Sequence, residues 1–222
     1  MSEGIRRWSI DGKATVKIGP FSRGGVTRGD NQAEAHDLGC QEKYLPCGIV
    51  DEERAALNRT FGSSYTTSEF IVETLEAKWH ALDEQAKAQT SLIQITMDNG
   101  PESSGKRTQL LYRMVQCVDA IGTPLQLLYS PPYHSKYNPI ERCWGILEQH
   151  WNGTKLIDAE TMLEWAKSMT WKGRRPVVEL SRQVYQKGIS LGKAAMRAVE
   201  ARLKRDTKLP KYDILINPVS SS

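Results

Sequence analysis

Residues 8 to 18 alternate with a period of two. Trp8, Ile10, Ala14, Val16 and Ile18 share one parity, and Ser9, Asp11, Lys13, Thr15 and Lys17 share the other. Only an extended strand sends alternate side chains to opposite faces, so this stretch is predicted to be a half-buried strand with Asp11 on its polar face. Short apolar runs and helical spacing then follow one another. Residues 47–62 read as two short strands joined by a charged turn. Thr66-Thr67-Ser68-Glu69 opens a helix that carries Ile71, Leu75, Trp79 and Leu82. Residues 91–98 give a strand that Asn99-Gly100-Pro101 breaks directly after Asp98. A helix over 106–121, a strand over 124–129 and a helix over 138–151 come next. That order predicts a mixed α/β layer, a sheet covered by helices. Residues 19–46, rich in glycine and charge, read as a long loop of the functional or mobile kind. Residues 157–222 read as helical throughout, with breaks near Gly173, Gly188 and Pro210. The expected division is a catalytic domain over 1–170 and a basic helical extension over 171–222.

Charge is unevenly spread. The net charge is +4, yet residues 165–222 carry 13 Lys/Arg against 4 Asp/Glu, a local +9 on a body that is correspondingly acidic. A basic tail on an acidic body suits a nucleic-acid partner, and a solvated helical surface accounts for it equally well. No apolar run reaches the ~20 residues that span a bilayer, and the start has no secretory signal. A cytoplasmic protein follows by default. Cys40, Cys47, Cys117 and Cys143 are scattered, which predicts free thiols.

Three carboxylates concentrate the chemistry. Asp98 ends a strand, where α/β sheets bind ligands, although Asp-Asn-Gly-Pro is also good turn chemistry. Asp11 sits within a strand, where aspartate is disfavoured. Glu141 follows Asn138-Pro139 at the third position of a helix, the arrangement of a capping box. It also lies at the edge of the buried stripe Ile140, Cys143, Trp144, Leu147 and Trp151, which lets it face a cleft. Two strands and a helix start bearing carboxylates point to a divalent-metal site acting on nucleic acid, because hard cations such as magnesium take oxygen ligands and phosphodiester displacement benefits from two ions. Around Glu141, His134 and Lys136 with Tyr133 and Tyr137 are candidates to contact phosphate and stack on bases, as are Arg142 and the basic turn Trp171-Lys172-Gly173-Arg174-Arg175. A zinc site built on His36, Cys40 and Cys47 matches no standard spacing. No nucleophile elbow, phosphate-binding loop or dinucleotide fingerprint is present. A two-carboxylate glycosidase using Asp98 and Glu141 is a rival that the basic tail disfavours.

Three blocks, IDGKATVKIGPFSRGG, MDNGPESSGKRTQ and PPYHSKYNPIERCWGILEQHWNG, resemble DDE transposases of bacterial insertion sequences, and most closely the Rhodopirellula-type DDE transposase family. The resemblance runs from about Trp8 to at least Arg175. It implies a ribonuclease-H-like mixed sheet flanked by helices, with the helical extension behind it. It also implies a catalytic triad of Asp11, Asp98 and Glu141 that holds magnesium, with manganese as substitute, as two ions. Asp11 would bridge them. The implied reaction is hydrolytic nicking at transposon ends followed by attack of the freed 3′-hydroxyl on target DNA. The implied partners are transposon-end and target DNA and a second copy of the chain, in the bacterial cytoplasm at the nucleoid. Such transposases usually carry an N-terminal helix-turn-helix region. This chain begins a few residues before its first strand, so the expectation is a copy lacking end recognition. The alternative is an inactive remnant that binds DNA without cleaving it.

Overall fold

The computed structural model describes residues 4–22, 40, 42–98, 108–130, 138–186 and 190–219. Its chain order is β1 (Ile5–Gly12), β2 (Val16–Ile18), β3 (Glu42–Asp51), β4 (Ala56–Gly62), α1 (Ser68–His80), α2 (Glu84–Ala88), β5 (Leu92–Met97), α3 (Thr108–Ile121), β6 (Leu125–Tyr129), α4 (Pro139–His150), α5 (Ala159–Ser168), β7 (Val177–Ser181), α6 (Lys193–Arg202), β8 (Leu203–Arg205) and β9 (Asp213–Ile216). The strands lie in the order β7-β4-β3-β1-β5-β6-β9-β8, with β2 paired to β3. β1, β3 and β4 form an antiparallel meander, and β1, β5 and β6 run parallel. A meander followed by two parallel strands on its first edge is the ribonuclease-H-like arrangement expected from the sequence.

Parity decides the two faces. Trp8, Ile10, Cys47, Ile49, Ile93 and Ile95 point to one core, closed by Phe70 and Leu75 of α1 and Leu110 and Met114 of α3. Val50, Leu57 and Phe61 point to a second core, closed by Ile140, Trp144 and Leu147 of α4 and Met162 of α5. Helices therefore cover both faces. On the α4 side the sheet beyond β1 is polar instead. There Arg7 Nε donates to Gln94 Oε1, Gln94 Nε2 to Gln126 Oε1, and Gln126 Nε2 to Asp213 Oδ1, a ladder across four strands.

The first strand departs from its expectation. Residues 13–15 separate β1 from β2, and Ala14 is exposed. Nor is the second face of β1 solvated: Ser9 is fully buried because α4 packs over it. The helix expected to open at Thr66-Thr67-Ser68-Glu69 does so, with the Thr67 side chain accepting from the Phe70 N–H at 3.3 Å. The expectation that residues 157–222 are helical throughout is corrected. They contain α5 and α6, but also β7, β8 and β9, which extend the sheet at both edges. β7 pairs with β4, and β9 with β6. These strands are only three to five residues long, too short to show a clear period, and only pairing with distant strands fixes them. All four cysteines are free thiols, as expected.

Candidate active site

The parallel register of β1 and β5 matches Ser9 with Thr96. Two residues further on, the same register sets Asp98 beside Asp11, and parity sends both toward the α4 side. In the antiparallel register, Asp11 stands opposite Gly48 of β3. That glycine is required by close approach, for a Cβ there would lie 2.8 Å from both Ile140 Cδ1 and Trp144 Cζ2. The first turn of α4 therefore comes down onto β1 and β3 beside Asp11, and Glu141 is in that turn. Asp11, Asp98 and Glu141 are each partly buried.

The charges of Asp98 and Glu141 both reach Asp11. The Asp11 pKa is raised from 3.8 to about 8, first by burial and then by the charges of Asp98 and Glu141. The Gly12 N–H and the Trp144 indole N–H favour the charged form and offset only part of this. The indole N–H is buried and has no partner at full bonding distance, yet lies close enough to Asp11 to act on its charge. Among the described residues, no group of three His, Cys, Asp or Glu side chains is close enough together to grip one ion. The three carboxylates thus stand near one another without closing on a point.

The capping box expected at Glu141 is not formed. Asn138 is the N-cap residue, but its side chain makes no capping bond. The Ile140 N–H instead donates 3.2 Å to the Ser9 hydroxyl on β1. Among the described residues, the Glu141 carboxylate takes no hydrogen bond that would hold it in a structural role. Ser9 and Gly48 were missed by the sequence reading. A glycine inside a buried strand could have marked the close approach, but nothing local distinguishes Ser9 from an exposed strand serine.

The basic candidates divide. His134 and Lys136, with Tyr133, Tyr137 and His36, lie outside the described residues. Arg142 is exposed next to Glu141. Lys172, Arg174 and Arg175 are exposed on a tight turn closed by reciprocal Trp171 and Arg174 backbone bonds. That turn leads into the start of β7, and Lys172 acts on Glu52 in the β3–β4 turn. Lys172 acts as well on Cys143 of α4, two residues past Glu141. At the Asp11 pole, an open groove of about 580 Å³ is lined by Lys43, Tyr44, Ser63, Ser64 and Arg182 together with Glu42. None of these was singled out in the sequence. Among the described residues, no helix is long and apolar enough to cross a membrane.

No curated protein matches the chain. Among solved structures, a simian T-cell lymphotropic virus intasome in complex with the PP2A regulatory subunit B56 gamma aligns at a TM-score of 0.35 and 16% identity. The alignment covers 65% of this chain and 38% of that one, a likeness too slight to bear on fold or activity. The family comparison is of a different order, with the Rhodopirellula transposase DDE domain matching residues 1–218. With that match spanning nearly its whole length, the chain belongs to the Rhodopirellula transposase DDE domain family.

Proposed function

We propose that this chain cuts and joins DNA strands in transposition, with Asp11, Asp98 and Glu141 holding divalent metal ions. The observation that carries the proposal is the pressure on Asp11, whose pKa burial and two neighbouring carboxylates raise to about 8. A cluster that repels itself in this way is suited to a cation. Its donors are all oxygens, which favours Mg2+, with Mn2+ as substitute. The nearby Cys47 thiol is a poor rival ligand, since burial pushes its pKa up to about 12. Bound ions of this kind activate an attacking water and neutralise charge at the scissile phosphate.

The remaining roles fall to the protein. In this reading the β1–β5 ladder, which ends at Ser9–Thr96, sets Asp98 against Asp11, and the start of α4 supplies Glu141. Arg142, exposed beside Glu141, and Lys43 and Arg182 in the groove at the same pole are suited to phosphate contacts. Joining two DNA ends calls for two such sites, hence a dimer on DNA.

The test is nicking of a DNA duplex in Mg2+ or Mn2+ by the wild type and by Asp98→Asn, with binding followed across a salt series. We expect nicking by the wild type alone and similar salt-sensitive binding by both. Unchanged nicking by Asp98→Asn would sink the assignment. Binding without nicking by the wild type would leave the chain a DNA-binding remnant.

A further inference from the structure

We infer that Ser9 and Asn138 form a clamp that sets where Glu141 stands relative to Asp11, making them positioning residues for the proposed metal site, on whose reading this inference rests. A helix start leaves its first N–H groups without intrahelical partners. The N-cap side chain ordinarily accepts one of them. In α4 that task has passed to another element. The Ile140 N–H donates to Ser9 Oγ at 3.2 Å. The Ser9 hydroxyl in turn donates to Asn138 Oδ1. Asn138 Nδ2 donates to the Ile10 carbonyl at 3.4 Å.

Both ends of this chain of bonds adjoin a carboxylate. Ser9 is two residues before Asp11 on the same strand face, and Ile140 immediately precedes Glu141. Ser9 is 0% exposed and Asn138 is 1% exposed, so water cannot stand in for either partner. Ending a helix needs only one local acceptor, which asparagine itself could supply. Committing the Asn138 amide to β1 instead fixes the register between a strand and a helix. Ile140 and Trp144 pack across Gly48, and one turn further along Arg59 Nη2 of β4 donates to the Cys143 carbonyl at 2.8 Å. The clamp adds directional bonds at the first turn itself, where Glu141 stands.

The test uses the full chain and Mn2+ alone as the probe. Ser9→Ala is compared with the wild type in two measurements. One is hydrogen exchange at the Ile140 and Glu141 amides in EDTA. The other is Mn2+ affinity by electron paramagnetic resonance, at a temperature where both proteins are folded. We expect exchange to speed at least tenfold and Mn2+ affinity to fall by about tenfold or more, the loss seen when groups that orient metal ligands are removed. A variant of lower stability whose exchange at those amides and Mn2+ affinity match the wild type would overturn the clamp, because a purely structural bond moves only the melting curve. Should Ser9→Ala fail to fold, Asn138→Ala, which leaves the Ser9–Ile140 bond, is read on Mn2+ affinity and on exchange at Glu141. If the wild type binds no Mn2+ that Asp98→Asn removes, the metal reading fails by itself. The clamp then stands or falls on exchange: tenfold faster upholds it, and unchanged rates overturn it.

Discussion

Replacing Asp11 by asparagine should stabilise the protein in EDTA while abolishing its proposed chemistry. Burial and the charges of Asp98 and Glu141 raise the Asp11 pKa from 3.8 to about 8. In the unfolded chain the carboxyl titrates near its ordinary value. Between these two pH values the folded protein therefore holds a proton that the unfolded chain has released. Stability from this group is fully present below the lower value and is lost as pH rises through the upper one. Each pKa unit is worth ~1.4 kcal/mol, so the loss by pH 7 is at most about 4 kcal/mol. Asp11 is only partly buried, and solvent screening brings the expected figure to roughly 2–4 kcal/mol. Asparagine keeps the shape and cannot ionise. Urea unfolding in EDTA, from pH 5 to pH 8, should show the wild type weakening and Asp11→Asn holding, with the gap widening as pH rises. Saturating Mg2+ should restore the wild type and leave the substituted protein unmoved. Parallel stability curves for the two proteins would refute the reasoning, for they would mean that Asp11 is neither desolvated nor crowded by its neighbours.

Other expectations are independent of metal. Gly48→Ala would bring a methyl to 2.8 Å from Ile140 Cδ1 and Trp144 Cζ2; we expect a loss of about 1–3 kcal/mol in urea unfolding, and an unchanged midpoint would show that α4 yields freely. Asp51→Asn removes the carboxylate that Arg6 holds at 3.1 Å, with both side chains buried; the expected cost is about 3–5 kcal/mol, and a loss below ~1 would show Arg6 satisfied by its remaining bonds. A thiol reagent at pH 8 should modify Cys40 quickly and spare Cys47, Cys117 and Cys143, which are buried and whose pKa values burial pushes up to about 12; mass spectrometry with more than one label on the native protein would contradict this.

What could be read from the sequence was what local patterns encode. Asp98 at the end of β5, the apolar stripe of α4 and the start of α1 after Thr66-Thr67 each follow from spacing within a dozen residues. The two-residue alternation placed Ser9 and Asp11 on one face, but not what covers it. That depended on α4, more than 120 residues later, and on Gly48 letting it approach. The same limit explains the capping box expected at Asn138. Its sequence is a good cap, yet a buried hydroxyl on β1 competes for the Ile140 N–H and wins. β7 (VVELS) and β9 (DILI) were read as helix because strands of five and four residues are too short to show a strong period of their own. Their conformation is dictated by β4 and β6, each far away in the chain.

The three carboxylates are not mounted alike, and this bears on how the site could vary. Asp11 lies in β1 and Asp98 directly follows β5, and the parallel ladder of the two strands runs from Ile5–Leu92 to Ser9–Thr96. Neither can shift along the other without breaking backbone bonds at the centre of the sheet. Glu141 is held through side chains: the Ser9–Asn138 bonds, the Arg59 bond to the Cys143 carbonyl, and the apolar contact of Ile140 and Trp144 over Gly48. Movement of α4 by an ångström would leave the sheet intact and change the spacing of Glu141 from both aspartates. Substitutions beneath α4 should therefore alter metal geometry with little loss of fold, whereas substitutions in β1 or β5 should cost both together. The proposed chemistry would then depend most on the contacts whose loss the fold best survives.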